Sequence, residues 1–347
     1  MKKVITLAAI VLASLVSCKQ NTNDMNTLQL TQEWDKVFPL SEKVNQQKVT
    51  YKNHFGITLV ADVYTPKDAE GKLPGIVVGG PFGAVKEQVS GLYAMRMAER
   101  GFVAIAADPS YMGESGGEPR GINSPDLNIE DFQAGVDYLM TRDDVDPERV
   151  GALGICGGGG YTLGAAQNDK RIKAVATLSM FNTGDVRRNG YMRTQTATIE
   201  ERLKAAAEAR AREAAGGPVE YPAGMGNMTP EEAQKIPIDL YRDGYFYYGV
   251  DYFHPNDGGT APTSCMLDLM MWDATDRMEL IDQPLLMMAG SIADSKYMSD
   301  EAFEKATGTT DKEYFIIEGA THIRTYFVPE YVAQVEAKLK EFFGKKL

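Results

Sequence analysis

The sequence predicts an α/β fold: a mostly parallel, doubly wound sheet that carries a helical cap insertion. Three observations point there. Short apolar runs alternate with helical patterns between residues 76 and 180. Those runs are continuous rather than alternating, as strands covered on both faces require. The rhythm stops after Met180 and resumes at Pro284, with helix signals between. A β-α repeat of this kind builds a parallel sheet, and 347 residues with 44% hydrophobic content suffice for one large core.

The elements follow in order. Lys48-Val49-Thr50-Tyr51 and Ile57 to Tyr64 flank a turn at Asn53-His54-Phe55-Gly56 and read as a β-hairpin. Ile76-Val77-Val78 is a buried strand, Glu87 to Arg100 a helix, Phe102 to Ala107 a strand and Asn128 to Arg142 a helix. Arg149 to Gly154 is a strand, Gly157 to Gln167 a helix and Lys173 to Met180 a strand. The core is thus expected over 47–182 and again over 283–347. The second part holds strands at Leu285 to Gly290 and Tyr314 to Ile317, and a closing helix from Tyr331 to Phe343. The cap insertion is expected over 183–282. In it, Thr198-Ile199-Glu200-Glu201 reads as a capping box and Gly216-Gly217 as a helix stop. Thr229-Pro230 reads as a second helix start. The aromatics Tyr241, Tyr245, Phe246, Tyr247, Tyr248, Tyr252 and Phe253 either line a pocket or form the insertion's own small core.

Residues 1–17 have the form of a targeting segment. Lys2-Lys3 is a positive start, and Val4 to Leu15 is an apolar stretch shorter than the ~20 residues of a membrane span. Leu15-Val16-Ser17-Cys18 resembles a bacterial lipobox, which implies lipidation of Cys18. Residues 18–46 are then a tether and N-terminal segment, and the protein is expected in the bacterial envelope, lipid-anchored and facing the periplasm. The net charge of -12 argues against nucleic acid and against polybasic contact with lipid.

The chemistry centres on Gly154-Ile155-Cys156-Gly157-Gly158, between an expected strand and an expected helix. This is the Gly-x-nucleophile-x-Gly pattern of a sharp strand-to-helix elbow, with Cys156 as nucleophile. Small residues flank it because strand and helix approach closely, and the helix N-terminus supplies positive potential. A base must serve the thiol. The chain has three histidines. His54 comes too early, and His254 reads as a surface residue of the insertion. His322, after the last strand, fits the order nucleophile, acid, His. The expected acid is Asp294, just past the penultimate strand; its rival Asp300 reads as a helix cap. The oxyanion donors are the N–H of Gly157 and one from Gly79-Gly80-Pro81-Phe82-Gly83. There Pro81 has no N–H, so Phe82 is the first candidate and Gly83 the second.

The runs Gly79 to Gln88 and Asp108 to Gly117, the elbow and His322 together resemble the α/β-hydrolases of the dienelactone hydrolase-like group. The resemblance implies an eight-stranded α/β-hydrolase sheet, a Cys or Ser nucleophile, and no metal or organic cofactor. It leads to a hydrolase that cleaves a small acyl ester, lactone or thioester through a thioester on Cys156, with Glu114 and Arg120 open as substrate contacts or loop structure. Two other readings stay open. One is a dipeptidyl-peptidase-like enzyme of the same fold, and the other is a catalytically silent binding protein.

Overall fold

The computed structural model describes residues 28, 30, 31, 33–222 and 228–347. Residues 1–17 and Cys18 lie outside it. Among the described residues, no helix is long and apolar enough to cross a membrane.

The sheet has eight strands: β1 Val44–Lys52, β2 Thr58–Pro66, β3 Leu73–Gly79, β4 Val103–Ala107, β5 Val145–Ile155, β6 Ile172–Leu178, β7 Leu285–Gly290 and β8 Lys312–Ile317. Their spatial order is β1-β2-β4-β3-β5-β6-β7-β8. The β1–β2 hairpin and the β2–β4 pairing are antiparallel. Every other pairing is parallel. The central strands β3, β4, β6 and β7 are apolar over most of their length because helices cover both faces. Leu285, Leu286, Met287 and Met288 of β7 are all fully buried. Buried side chains of this size stabilise by about 1.5–3 kcal/mol each.

The connecting helices are α1 Val89–Ala98, α2 Pro125–Met140 and α3 Gly157–Asn168. Helix α2 starts three residues earlier than the apolar pattern suggests, with Pro125 in its first turn after Ser124. Between β6 and β7 the chain forms α4 Thr183–Asn189, α5 Ile199–Ala214, α6 Pro230–Ala233, α7 Asp239–Phe246, a π-helical turn Tyr247–Asp251 and α8 Met266–Leu269. After β7 come α9 Lys296–Lys305 and, last, α10 Pro329–Lys346.

Two local expectations need correction. Thr198 does not cap α5, because residues 196–198 form a 3₁₀ turn and its hydroxyl donates to the Gln195 carbonyl instead. The capping box is at Thr229 and Glu232, at the start of α6. Asp300 is not a cap: α9 begins at Lys296, and Asp300 sits mid-helix, accepting from Lys296 and the Tyr314 hydroxyl.

Candidate active site

The functional side chains gather where the parallel strands end. Gly79 of β3 pairs with Gly154 of β5, and Ile155 of β5 pairs with Leu178 of β6. The loops after β3 and β5 are therefore neighbours. The loop after β6 leads into α4, and those after β7 and β8 approach from the other side. In an open α/β sheet, this edge is where ligands bind.

Cys156 joins β5 to α3 with φ 56° and ψ -123°. Only hydrogen bonds on both sides hold a non-glycine residue in that strained conformation. Its N–H donates to the Leu178 carbonyl at 3.0 Å, and its carbonyl accepts from Phe181 N–H at 2.9 Å. The elbow also explains its glycines. A Cβ on Gly158 would run into the carbonyl oxygens of Gly79 and Gly80. One on Gly154 would meet Thr162 and the Gly158 carbonyl.

The half-buried thiol of Cys156 receives the backbone N–H groups of Phe82 and Gly157 and borders the Tyr326 hydroxyl. Burial raises its pKa, and those three contacts oppose the rise. Two main-chain donors thus converge on the sulfur. Cys265 is a separate free thiol, buried against Ala261 and Leu269.

His322 is fully buried. Its Nδ1 lies 2.6 Å from Ser295 Oγ and its Nε2 2.8 Å from the Tyr326 hydroxyl. Burial drives its pKa down to about 4, against the raising pull of Asp294. The imidazole is therefore neutral at pH 7. No hydrogen bond joins it directly to Cys156. Tyr326, also fully buried, stands between them and touches both. The order in space is Ser295, His322, Tyr326, Cys156.

Asp294 is in the same loop as Ser295 but faces elsewhere. Its carboxylate accepts from the Tyr191 hydroxyl at 2.5 Å and from Leu240 N–H at 3.3 Å. It acts on His322 only through space. Burial and the hydrogen bond to Asp294 push the Asp239 carboxyl up to about 7. The structure thus brings together Cys156, Gly157, Phe82 and His322, and places Ser295 rather than Asp294 on the imidazole.

Sequence reading missed Ser295 and Tyr326. Tyr326 follows His322 by four residues, a helical spacing that could have marked it. Tyr248, from the π-helical turn, reaches the same point, with its phenol hydrogen-bonded to Tyr326 and facing Cys156. Its neighbour Tyr247 instead packs on Tyr252, Tyr326 and Phe327 as core. The aromatic cluster therefore does both things the sequence left open.

The remaining candidates have structural tasks. Arg120 donates to the carbonyls of Gly113, Ser115 and Gly117 and pins their loop. Burial would raise the Glu114 pKa, but Lys48 and Lys86 hold it down to about 2. His254 is buried rather than on the surface: its Nδ1 accepts from Asn256 N–H, and Asp35 lies beside its other nitrogen. His54 is exposed in the hairpin turn. Glu87, Asp108 and Glu114 are close enough to share a cation, but the Lys86 ammonium already stands among them.

Comparison with known proteins supplies the family. The model of the X-Pro dipeptidyl-peptidase (S15) family matches residues 56–323. The chain belongs to that family. It is 44% identical over 332 residues to the uncharacterized protein PA2218 of Pseudomonas aeruginosa, covering 91% of this chain and 87% of that one. The crystal structure of PA2218 superposes with a TM-score of 0.84, covering 92% of this chain and 99% of the other. The uncharacterized protein YcjY of Escherichia coli K12 is 38% identical over 308 residues, 87% of this chain and 99% of its own. Dienelactone hydrolase from Anabaena variabilis shares the fold at 14% identity, with a TM-score of 0.52 over 88% of this chain and all of that one. The S15 protein described here is an α/β hydrolase.

Proposed function

We propose that this S15-family protein hydrolyses an ester, lactone or thioester through a thioester on Cys156. The observation that carries this reading is the thiol on its strained elbow, with the Phe82 and Gly157 N–H groups aimed at the sulfur and Tyr326 linking it to His322. With the Nδ1 proton donated to Ser295, Nε2 accepts from Tyr326. As the sulfur attacks the acyl carbonyl, its proton passes to the Tyr326 oxygen while the Tyr326 proton passes to Nε2. The tyrosine stays neutral and the imidazole becomes charged. The carbonyl oxygen moves between the two N–H groups. The proton returns by the same route to the leaving alkoxide or thiol, and water then cleaves the thioester.

The test is trapping. Acid quenching during turnover of p-nitrophenyl acetate should leave one acetyl group on the Cys156 peptide, and none in Cys156→Ala. Turnover of the ester with no adduct on Cys156 overturns the reading.

Tyr326 is a catalytic residue in this scheme, because it takes the sulfur's proton and passes its own to Nε2. Tyr326→Phe should lower kcat by about 10²–10³-fold with little change in KM, the range expected for losing a positioned proton-transfer group. The pH profile checks it independently. The base is neutral, and so competent, above about 4. The wild-type acid limb of kcat/KM should therefore fall near pH 4 rather than at the ordinary imidazole value of about 6.5. An acid limb near 6.5, or Tyr326→Phe within threefold of wild type, rules out the relay.

Family membership favours a second reading, a dipeptidyl peptidase. Turnover of an X-Pro p-nitroanilide beside p-nitrophenyl acetate separates the two. Following the lipobox reading, we also propose that Cys18 carries the lipid and holds the enzyme in the envelope, facing the periplasm. Palmitate labelling of the full-length chain should vanish in Cys18→Ala, and labelling that persists refutes it.

A further inference from the structure

We propose that Arg187 receives a carboxylate of the substrate, so that the enzyme acts on acyl compounds bearing a second, anionic group. This deepens the acyl-hydrolase reading above and rests on it for the chemistry, although the binding step can be tested alone.

The argument begins with charge. The chain has 48 Asp and Glu against 36 Lys and Arg, so basic side chains have acidic partners in excess. The arginines around Arg187 take them. Arg188 pairs with Asp273 at 3.0 Å and donates to the carbonyls of Met270 and Trp272. Arg193 pairs with Glu301 at 2.6 Å and with Asp185 at 3.5 Å. The Arg187 guanidinium has neither a carboxylate partner nor a hydrogen-bond acceptor among the described residues. It is not simply left in water. It lies over the Phe82 ring at 4.8 Å, with the phenols of Tyr161 and Tyr241 near it, and burial pulls its pKa below the usual value. A charge withdrawn from water without a counter-ion is costly, and a bound anion would offset that cost.

Its place relative to the nucleophile identifies what it would bind. Phe82 carries Arg187 on its ring and aims its N–H at the Cys156 sulfur. Tyr161 lies close enough to both the guanidinium and the thiol to feel their charge. Arg187 and Cys156 therefore share Phe82 and Tyr161 as neighbours, with the loop after β3 between them. Helix α4 fixes the arginine: it follows β6 directly, and the Asn182 side chain caps it by accepting from Asp185 N–H at 3.2 Å. A planar guanidinium with free N–H groups matches a carboxylate, which it can hold by two parallel hydrogen bonds. The same cation would repel the protonated amino terminus that a dipeptidyl peptidase must accept.

The experiment compares esters that differ in one charge. On the acyl side, p-nitrophenyl hemiglutarate is set against p-nitrophenyl valerate. On the alcohol side, 4-acetoxybenzoate is set against phenyl acetate. The wild type should favour the anion in one pair by about 10- to 100-fold in kcat/KM, as a charged hydrogen-bonded pair implies. The pair that shows the preference tells which part of the substrate Arg187 holds. In Arg187→Met the preference should collapse toward one, whereas Arg187→Lys should keep part of it and controls for folding. A binding readout runs in parallel. Glutarate should slow iodoacetamide labelling of Cys156 in the wild type and not in Arg187→Met. No preference in either pair, or one that survives in Arg187→Met, overturns the proposal. Protection by glutarate without any ester turnover would uphold the anion site and sink the hydrolase reading instead.

Discussion

Replacing Cys156 with alanine is expected to lower kcat/KM on p-nitrophenyl acetate by on the order of 10⁴-fold, leaving the folded protein intact. Alanine removes the atom that forms the acyl bond. It leaves the Phe82 and Gly157 N–H groups and the buried imidazole, so only the residual catalysis of an oxyanion site without a nucleophile should remain. The backbone at 156 stays at positive φ with alanine, as with cysteine, so thermal unfolding should shift little. Cys156→Ser should fall nearly as far. A serine hydroxyl needs a stronger base than a thiol, and burial leaves His322 with a pKa of about 4. Initial rates, with melting curves on the same samples, check both variants. An alanine variant that keeps more than a tenth of wild-type activity would place the nucleophile elsewhere.

The fold was legible because its signals are local. Continuous apolar runs marked β3 to β8 to within a few residues, since strands covered on both faces cannot alternate. The elbow was legible for the same reason: strain and crowding at one turn force glycine at 154 and 158. His322 followed from chain order. The partners of His322 did not, because they depend on side-chain direction. Asp294 and Ser295 are adjacent, so a reading by loop position cannot choose between them. The choice is made by Tyr191 and Leu240, more than 50 residues away in sequence, which take up the Asp294 carboxylate. Tyr326 was hidden differently. Nothing local distinguishes a tyrosine that packs from one whose hydroxyl lies between a base and a thiol. The Thr198 box failed because the turn before it offered the Gln195 carbonyl to the same hydroxyl.

Replacing Lys86 with methionine should cost about 3–5 kcal/mol of stability, the usual penalty for removing one partner of a buried ion network. The ammonium is fully buried. It donates to Glu87, to Asp108 at 2.8 Å and to Glu114 at 2.7 Å. Burial alone would lower its pKa, but Asp108, Glu87 and Asp62 hold it far above the ordinary lysine value. Without it, Glu114 keeps Lys48, and Lys36 reaches Glu87 at only 3.9 Å. Glu87 already titrates near 8, raised by burial and by Asp108. In the variant its pKa should rise further, so the folded state binds protons that the unfolded state, titrating near 4.3, does not. Stability falls as pH rises through that window in both proteins, but in wild type the fall ends near pH 8, so the deficit of Lys86→Met should be larger at about pH 9.5 than at pH 6. Urea unfolding at the two values measures it, and an equal deficit at both would refute the uncompensated-carboxylate account. The damage should also reach catalysis. The Lys86 N–H donates to Asp108 at 2.8 Å and ties down the far end of the loop that carries Phe82. Asp108 also accepts the Glu114 N–H at 2.8 Å. If that tie positions the Phe82 N–H over Cys156, kcat in Lys86→Met should fall even at temperatures where the variant is fully folded. The buried network would then be part of how the oxyanion site is held, and not only of how the chain is.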